Sequence, residues 1–455
     1  MSKRVFSPIT ISICVSYNSP SKRLDLLPPP LRHVHVSRWS LPSRGLEGGL
    51  IPTERPLAER VPFLVIGGGI GGLTASLAAA SAGYEVHLIE QNPDFVEIGA
   101  GIQLAPNAAR VLDRLGLFDA VEAVSVKPQN LFLMHTESGK VLTRLAFGKA
   151  FRRRYGYPYV VLHRGDLLGI LLDACKQHPG ITLETNKKMV EISDLGNSMR
   201  VACEDGTEYD CDAVVGVDGL WSRARSYVSS DEPIYHGYVA FRGAIPTSDV
   251  PFSVESDDEF IWIGPGKHFV QYPIRRGELY NQVAVFASPG FRPEIAESLE
   301  WGTQIELEAA FSKSCETLQV ALTMIHRDRR WPMLDRVPLT NWRKSRLTLL
   351  GDAAHPMLQY LAQGACQAIE DADCLGRMMR EHRGDIVKAF DAYQEESIPR
   401  TTRVQLAARW WGRFWHDDGD IVPALRDRIL TTRAPDDYSD TDWLYMSGSG
   451  SSSSS

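Results

Sequence analysis

The run Gly67-Gly68-Gly69-Ile70-Gly71-Gly72 constrains this chain more than any other stretch. It follows Phe63-Leu64-Val65-Ile66, a short apolar run suited to a buried parallel strand. Gly67, Gly69 and Gly72 satisfy G-x-G-x-x-G, and the Ala-rich segment from Leu73 to Ala82 predicts a helix ending near Gly83. Tyr84 to Ile89 then alternates as a second strand that finishes at Glu90. The order has a physical basis. The first glycine makes the tight turn, the second lets backbone approach a pyrophosphate, and the third lets helix pack on strand. The helix N-terminus faces the phosphates, and an acid closing the second strand accepts from ribose hydroxyls. A bare glycine cluster is only a turn; strand, turn, helix, strand and acid together point to a dinucleotide. Either NAD or FAD fits these residues.

Composition bounds the rest. At 455 residues the chain exceeds one compact core, so two or more domains are expected. Lys+Arg 49 against Asp+Glu 56 gives a net charge of −7, which offers nothing to nucleic acid or an anionic membrane. The short basic runs Arg152 to Arg154 and Arg327 to Arg330 read as solvated loops. Seven cysteines, odd in number, scattered and without a C-x-x-C pair, argue against a disulfide framework or zinc site and for a reducing, cytoplasmic setting. No apolar stretch reaches the length of a membrane-spanning helix, so no integral membrane association is expected. His163, His236, His268 and His355 are isolated, and no metal site is expected. No G-x-S-x-G nucleophile elbow follows a strand.

The two ends differ from the middle. Residues 1–60 are rich in Ser, Pro and Arg, with Pro28-Pro29-Pro30 at the centre, and are expected to be a disordered or non-core extension. Their excess of Arg faintly suggests organelle targeting, but the prolines break the stripe a transit peptide needs. Residues 447–455 are a Gly/Ser run expected to be a flexible tail.

Two later segments favour FAD. Ala213 to Gly219 is a strand ending in Asp218-Gly219, and Leu347 to Pro356 is an apolar strand ending in Gly351-Asp352, with a helix-like run from Gly364. A Gly-Asp pair at a strand end can set a carboxylate against a chain of hydroxyls, which FAD has in its ribityl group and NAD lacks. Each dipeptide alone is an ordinary turn or cap; their order after the glycine motif is informative.

With these motifs the sequence resembles the flavoprotein aromatic hydroxylases, the single-component FAD-dependent monooxygenases that include 3-hydroxybenzoate 6-hydroxylase and salicylate hydroxylase. The resemblance runs from about Val61 to Tyr445 through GGGIGG, EIGAGIQLAPNAARVL (97–112), LHRGDLL (162–168), VGVDGLWSRAR (215–225), GPGKHFVQYPIRRGELYN (264–281) and LLGDAAHPMLQYLAQGACQAIEDA (349–372). It implies that Gly67, Gly69 and Gly72 hold the FAD pyrophosphate and Glu90 the adenosine ribose. Gly101 and Gln103 lie in the loop beside the cofactor, and Arg164 matches an arginine that contacts FAD. Asp218 belongs to an element serving both FAD and nicotinamide pyrophosphates, and Asp352 binds the ribityl chain. Gly364 and Ala365 offer backbone N–H groups to the isoalloxazine.

The implied reaction consumes NADH or NADPH and O2, passes through a flavin hydroperoxide, and hydroxylates a small phenolic aromatic acid. A phenol reacts best as phenolate, so a base or relay near its hydroxyl is expected. His236, Tyr238, His268 and Gln359 are the candidates. The resemblance places a tyrosine where this chain has Phe241 of Ala240-Phe241-Arg242, so Tyr238 or His236 is expected to take its role. Tyr235 and Tyr238 also suit a strand core, and a lone His in a strand is commonly structural.

The fold expected is α/β: a Rossmann-like FAD-binding domain in two parts, 61–233 and 339–400, with an inserted, mostly antiparallel substrate domain, 234–338. Residues 401–446 form a C-terminal helical segment, with Val404, Ala407, Ala408, Trp411, Phe414 and Trp415 facing the core or a second copy in a homodimer. The pattern QYLAQGA resembles 3-hydroxybenzoate 6-hydroxylases more than salicylate hydroxylases. Salicylate 1-hydroxylase, a tailoring hydroxylase or epoxidase, and a flavin-binding sensor without turnover are the alternatives.

Overall fold

The structure is a computed structural model that describes residues 58–446, apart from 97, 98, 100, 252, 253, 255, 297, 299 and 328. The Gly/Ser tail and all but the last residues of the expected N-terminal extension lie outside the described residues.

Strand Glu59–Ile66 sits at the centre of an eight-stranded sheet, flanked in parallel by Glu208–Gly216 and Val86–Ile89. Phe63, Leu64 and Val65 are fully buried, which a strand covered on both faces requires. Each such side chain contributes about 1.5–3 kcal/mol. Leu347–Leu349 extends the parallel order on one side and Ile181–Glu184 on the other. Met189–Asp194 and Met199–Cys203 add an antiparallel arm.

The first helix is Ile70–Ser81 and not Leu73 to Ala82, because Gly71 and Gly72 are already wound into its first turn. The second strand is shorter than expected, Val86–Ile89, and all four residues are buried, so its apparent alternation has no exposed face behind it. The first helix packs against helix Gly364–Glu381, with Ala78 close against Gly376, bringing the two parts of the parallel domain together.

A second sheet of seven strands runs in the order Arg330–Asp335, Ile234–Pro246, Leu279–Ala287, Lys267–Ile274, Glu259–Gly264, Asn130–His135 and Val141–Ala146. It is antiparallel except where Glu259–Gly264 pairs with Asn130–His135. Its last two strands come from outside residues 234–338: an excursion at 130–146 crosses over to complete the sheet, so the expected boundary is too narrow. The boundary at 400/401 also falls inside one continuous helix, Ile386–His416. Residues 401–416 therefore belong to an element anchored at Ile386, Ala389 and Phe390, all buried. A two-stranded ribbon, Gly101–Leu104 with Val160–His163, packs against strand Lys267–Ile274 of the second sheet. No helix among the described residues is long and apolar enough to cross a membrane.

Candidate active site

The C-terminal ends of the parallel strands open into a cleft, where ligands of open α/β sheets bind. Two cavities of about 410 and 450 Å³ share Gly69, Val217 and Gly219 and so form one elongated groove. At one end stand the glycine turn and Glu90. Gly67 has φ +112°, and a Cβ there would lie 2.5 Å from the Val217 carbonyl oxygen, so this turn admits only glycine. Glu90 is buried; its Oε2 accepts from the Gly68 N–H (2.7 Å) and its Oε1 from the Asn92 N–H (2.9 Å). The helix N-terminus at Gly69 carries no side-chain cap, which leaves its first N–H groups for an anion.

Asp218 and Gly219 line the groove beside the glycine turn, where the expected pyrophosphate-binding element belongs. Asp218 Oδ2 accepts from the Arg223 and Ala224 N–H groups (2.7 and 3.1 Å) and its Oδ1 from the Ser222 hydroxyl. The carboxylate caps the short helix Arg223–Val228 and shapes the groove wall. Arg225, fully buried in that helix, forms a fork with Asp231 (2.8 and 2.9 Å). It also donates to the carbonyls of Ala353 (3.0 Å), Ala354 (2.6 Å) and Val337 (3.1 Å). One guanidinium thus fixes the turn that carries Asp352.

Asp352 projects its side chain into the cleft, its surface open to the groove. Burial among protein atoms raises its pKa, against the pull of His355 and Arg164. His355 sits behind the turn, 2.5 Å from Asp371 Oδ2; burial opposes its protonation, but Asp371 and Asp352 outweigh that and raise its pKa. The N-terminus of helix Gly364–Glu381 also lacks a side-chain cap, and Gly364 and Ala365 line the cleft beside Asp352.

Gly101, Gln103 and Arg164 form the opposite wall. Gly101 donates its N–H to Asn281 Oδ1 (2.8 Å). Gln103 donates to Glu259 Oε1 (2.6 Å) and accepts from the Tyr159 hydroxyl. Glu259 has no solvent contact, and burial lifts its carboxyl to about 8, against the Gln103 bond.

Beyond Asp352 the cleft ends among Arg242, His268, Gln359, Tyr272, Ile261, Val270, Val283 and Met357. Arg242 donates to Gln359 Oε1, and Gln359 Nε2 lies 3.4 Å from His268 Nε2. Burial, with Arg164 nearby, lowers Arg242 to about 10, still charged at neutral pH. Burial first, then His416 and Arg242, holds His268 well below the usual imidazole range.

His268 and Gln359 therefore meet in the cleft, and His236 and Tyr238 do not line it. His236 is held by Asp335 (2.7 Å), which also takes a fork from Arg409. Tyr238 lies against His416, ring centroids 4.4 Å apart. The register of strand Ile234–Pro246 shifts between Tyr235 and Val239, and it is Arg242 that reaches the cleft. Tyr235 is a packing residue, donating to the Ser288 carbonyl and lying tilted against Phe291. Arg242, Tyr272, Asn281 and Trp415 line the cleft, although the sequence alone assigns none of them to the site. Trp415 also corrects the reading of its helix, which supplies part of the site wall as well as packing.

The sequence profile of an FAD binding domain matches residues 60–408. The chain belongs to that family. The uncapped helix ends, the turn only glycine fills and the open Asp352 carboxylate fit the cofactor, and the protein is an FAD-dependent monooxygenase of the aromatic hydroxylase group that uses NAD(P)H.

The 3-hydroxybenzoate 6-hydroxylase of Polaromonas naphthalenivorans is 36% identical over 85% of this chain and 96% of its own. That of Klebsiella oxytoca is 34% identical over 86% and 97%. The 3-amino-4-hydroxybenzoate 2-monooxygenase of Streptomyces cremeus is 34% identical over 85% and 95%. Among solved structures, Klebsiella pneumoniae HpxO complexed with FAD and uric acid has a TM-score of 0.72 at 23% identity over 82% of this chain and 93% of its own. A salicylate hydroxylase substrate complex has a TM-score of 0.70 at 22% identity over 85% and 95%. At these identities the solved structures speak to the fold.

Proposed function

We propose that the protein hydroxylates a small phenolic carboxylate, with 3-hydroxybenzoate converted at position 6. The observation that carries this reading is the linked set Arg242, Gln359 and His268 at the closed end of the cleft, next to Asp352 and the Gly364 helix end. The relatives that match nearly the whole chain act on hydroxybenzoates by name, which fits one cation, one orienting amide and one imidazole facing a small apolar space.

Bound FAD would supply the redox chemistry that the nicotinamide and O2 require for ring hydroxylation. The glycine turn and the two uncapped helix ends receive its phosphates and the negative charge of its reduced ring. Glu90 and Asp352 accept from its sugar hydroxyls. Ile261, Val270, Val283 and Met357 hold the aromatic ring and exclude water, which protects the oxygen transfer from wasteful hydrolysis. Arg242 stabilises negative charge on the substrate, Gln359 orients it, and His268 Nε2 takes the phenol proton. The six described cysteines are free, in keeping with a reducing cytoplasm. The exposed apolar side chains Trp410, Ile421, Leu425 and Ile429 favour a homodimer, which sedimentation tests.

The test is NADH and NADPH oxidation by the purified FAD protein, with and without hydroxybenzoates, products read by mass. Stimulation by 3-hydroxybenzoate with a gain of one oxygen is expected. Stimulation by salicylate with loss of carbon dioxide would replace this substrate, and no stimulation by any small phenol would overturn the reading.

A further inference from the structure

We propose that His416, the last residue of helix Ile386–His416, is the second member of a two-imidazole relay that carries the substrate's phenolic proton out of the cleft by way of His268. The inference rests on the phenol-hydroxylation reading above.

The direction of the chain follows from one bond. Arg242 can only donate, so the Gln359 atom it meets is the carbonyl Oε1, and the other amide atom is the donor Nε2. Gln359 Nε2 points at His268 Nε2, which must accept and is therefore bare. A neutral His268 then carries its hydrogen on Nδ1, and that atom lies 2.7 Å from His416 Nε2. His416 Nε2 is thereby the acceptor and His416 Nδ1 holds the hydrogen. His416 Nδ1 is buried and has no partner among the described residues. The chain has a fixed sense, with its accepting nitrogen, His268 Nε2, in the cleft and its unpartnered donor, His416 Nδ1, at the far end.

Two other histidines, the half-buried His236 and the buried His355, are built differently. His236 is fastened to Asp335 and His355 to Asp371, so a carboxylate pins each ring. His268 and His416 meet the neutral Gln359 amide and each other and no carboxylate, and both can exchange tautomers without creating a charge. Their rings are fixed by Tyr360, Trp415 and Tyr238 at centroid distances of 4.4 to 5.4 Å. The charged groups facing the pair are Arg242 on the cleft side and Arg426 from helix Ile421–Thr432. Both oppose a resting imidazolium; burial and Arg426 bring His416 down to about 3. Protons therefore pass through and do not stay. Beyond His416 the chain leaves the helix at the half-buried Asp417 and exposed Asp418, where water can receive the proton.

The step balances without any redox change. The phenol O–H bond breaks as a bond forms to His268 Nε2. The His268 Nδ1–H bond breaks as one forms to His416 Nε2, and the His416 Nδ1 proton leaves to water. Both imidazoles end neutral and the phenolate remains beside Arg242. The reverse shift returns a proton to the cleft.

His416→Gln in the full-length FAD protein tests this. Glutamine can still accept from His268 Nδ1 and hold the ring, but it cannot pass a proton on. FAD content and KM are expected to stay within about threefold, while kcat at neutral pH falls ~10²-fold. The loss shrinks as pH rises toward the phenol's own pKa near about 10, because ionised substrate bypasses the relay. Wild-type-like kcat in His416→Gln overturns the relay and leaves only a packing role, as does a loss that is the same at every pH. If His416→Gln fails to hold FAD, His268→Gln is read in the same way, with recovery at high pH expected and a pH-independent loss overturning the relay. A wild-type protein that no phenol stimulates overturns the functional reading instead.

Discussion

Gly72 stands so close to Gly67 that a Cβ built on it would lie 1.9 Å from the Gly67 carbonyl oxygen. The first turn of the helix is thus stacked directly on the end of the first strand, and the phosphate-binding N–H groups owe their direction to that contact. Gly72→Ala is expected to cost roughly 3 kcal/mol or more, at or beyond the upper end of overpacking, and to abolish flavin retention. Gly169→Ala, in helix Arg164–Gln177 with nothing within 4 Å of the new Cβ, should stabilise by about 0.5–1 kcal/mol. Chemical denaturation and flavin absorbance of the two variants check the contrast.

Asp352 offers a carboxylate to the groove from a turn held by other residues. Asp352→Ala should therefore fold with near-normal stability and lose FAD, its affinity falling ~10–100-fold, the worth of a charged hydrogen bond. Stoichiometric flavin after gel filtration of Asp352→Ala would sink the assignment.

Glu259 makes stability depend on pH in a predictable sense. Its folded pKa, about 8, lies above the ordinary value of 4.5. Between those values the folded state keeps a proton that the unfolded state has released. Stability therefore falls as pH rises through that window, by roughly 3–5 kcal/mol over its width. Glu259→Gln keeps a neutral side chain beside Gln103 and removes this slope. The variant should match wild type near pH 5 and exceed it near pH 8 in denaturant midpoint.

The parallel domain was legible in the sequence because its elements are local: the glycine turn, the buried run before it and the acid after it lie within residues 63–90. Asp352 and Gly364 were legible for the same reason, each marking a strand end or helix start. The crossing of residues 130–146 into the other sheet was not, since Asn130–His135 pairs with Glu259–Gly264 although much of the parallel domain lies between them in the chain, and no local pattern reports so distant a partner. Nor was the contact of His268 with His416, which joins a strand to the far end of a helix whose spacing speaks only of packing. His236 looked catalytic because it opens the substrate sheet; its Asp335 partner lies on a neighbouring strand and is invisible in the local sequence.

Arg225 links three segments that the sequence keeps apart: its own helix, the Asp352 turn and the Val337 carbonyl. Arg225→Met would leave Asp231 without its fork and three carbonyls without a donor in the interior, where removing one partner of a buried pair costs about 3–5 kcal/mol. Asp231 retains Arg336 at 3.6 Å, which puts the expected loss toward the lower end. Because the lost bonds free the turn carrying Asp352, flavin affinity should fall along with stability. Arg225→Met with Asp231→Asn should recover part of the stability by removing the stranded charge, but not the flavin affinity, since the Ala353 and Ala354 carbonyls stay unanchored. Denaturant midpoints and flavin titration of both variants separate the two effects; full recovery of flavin binding in the double variant would show that the charge, and not the turn, is what Arg225 serves.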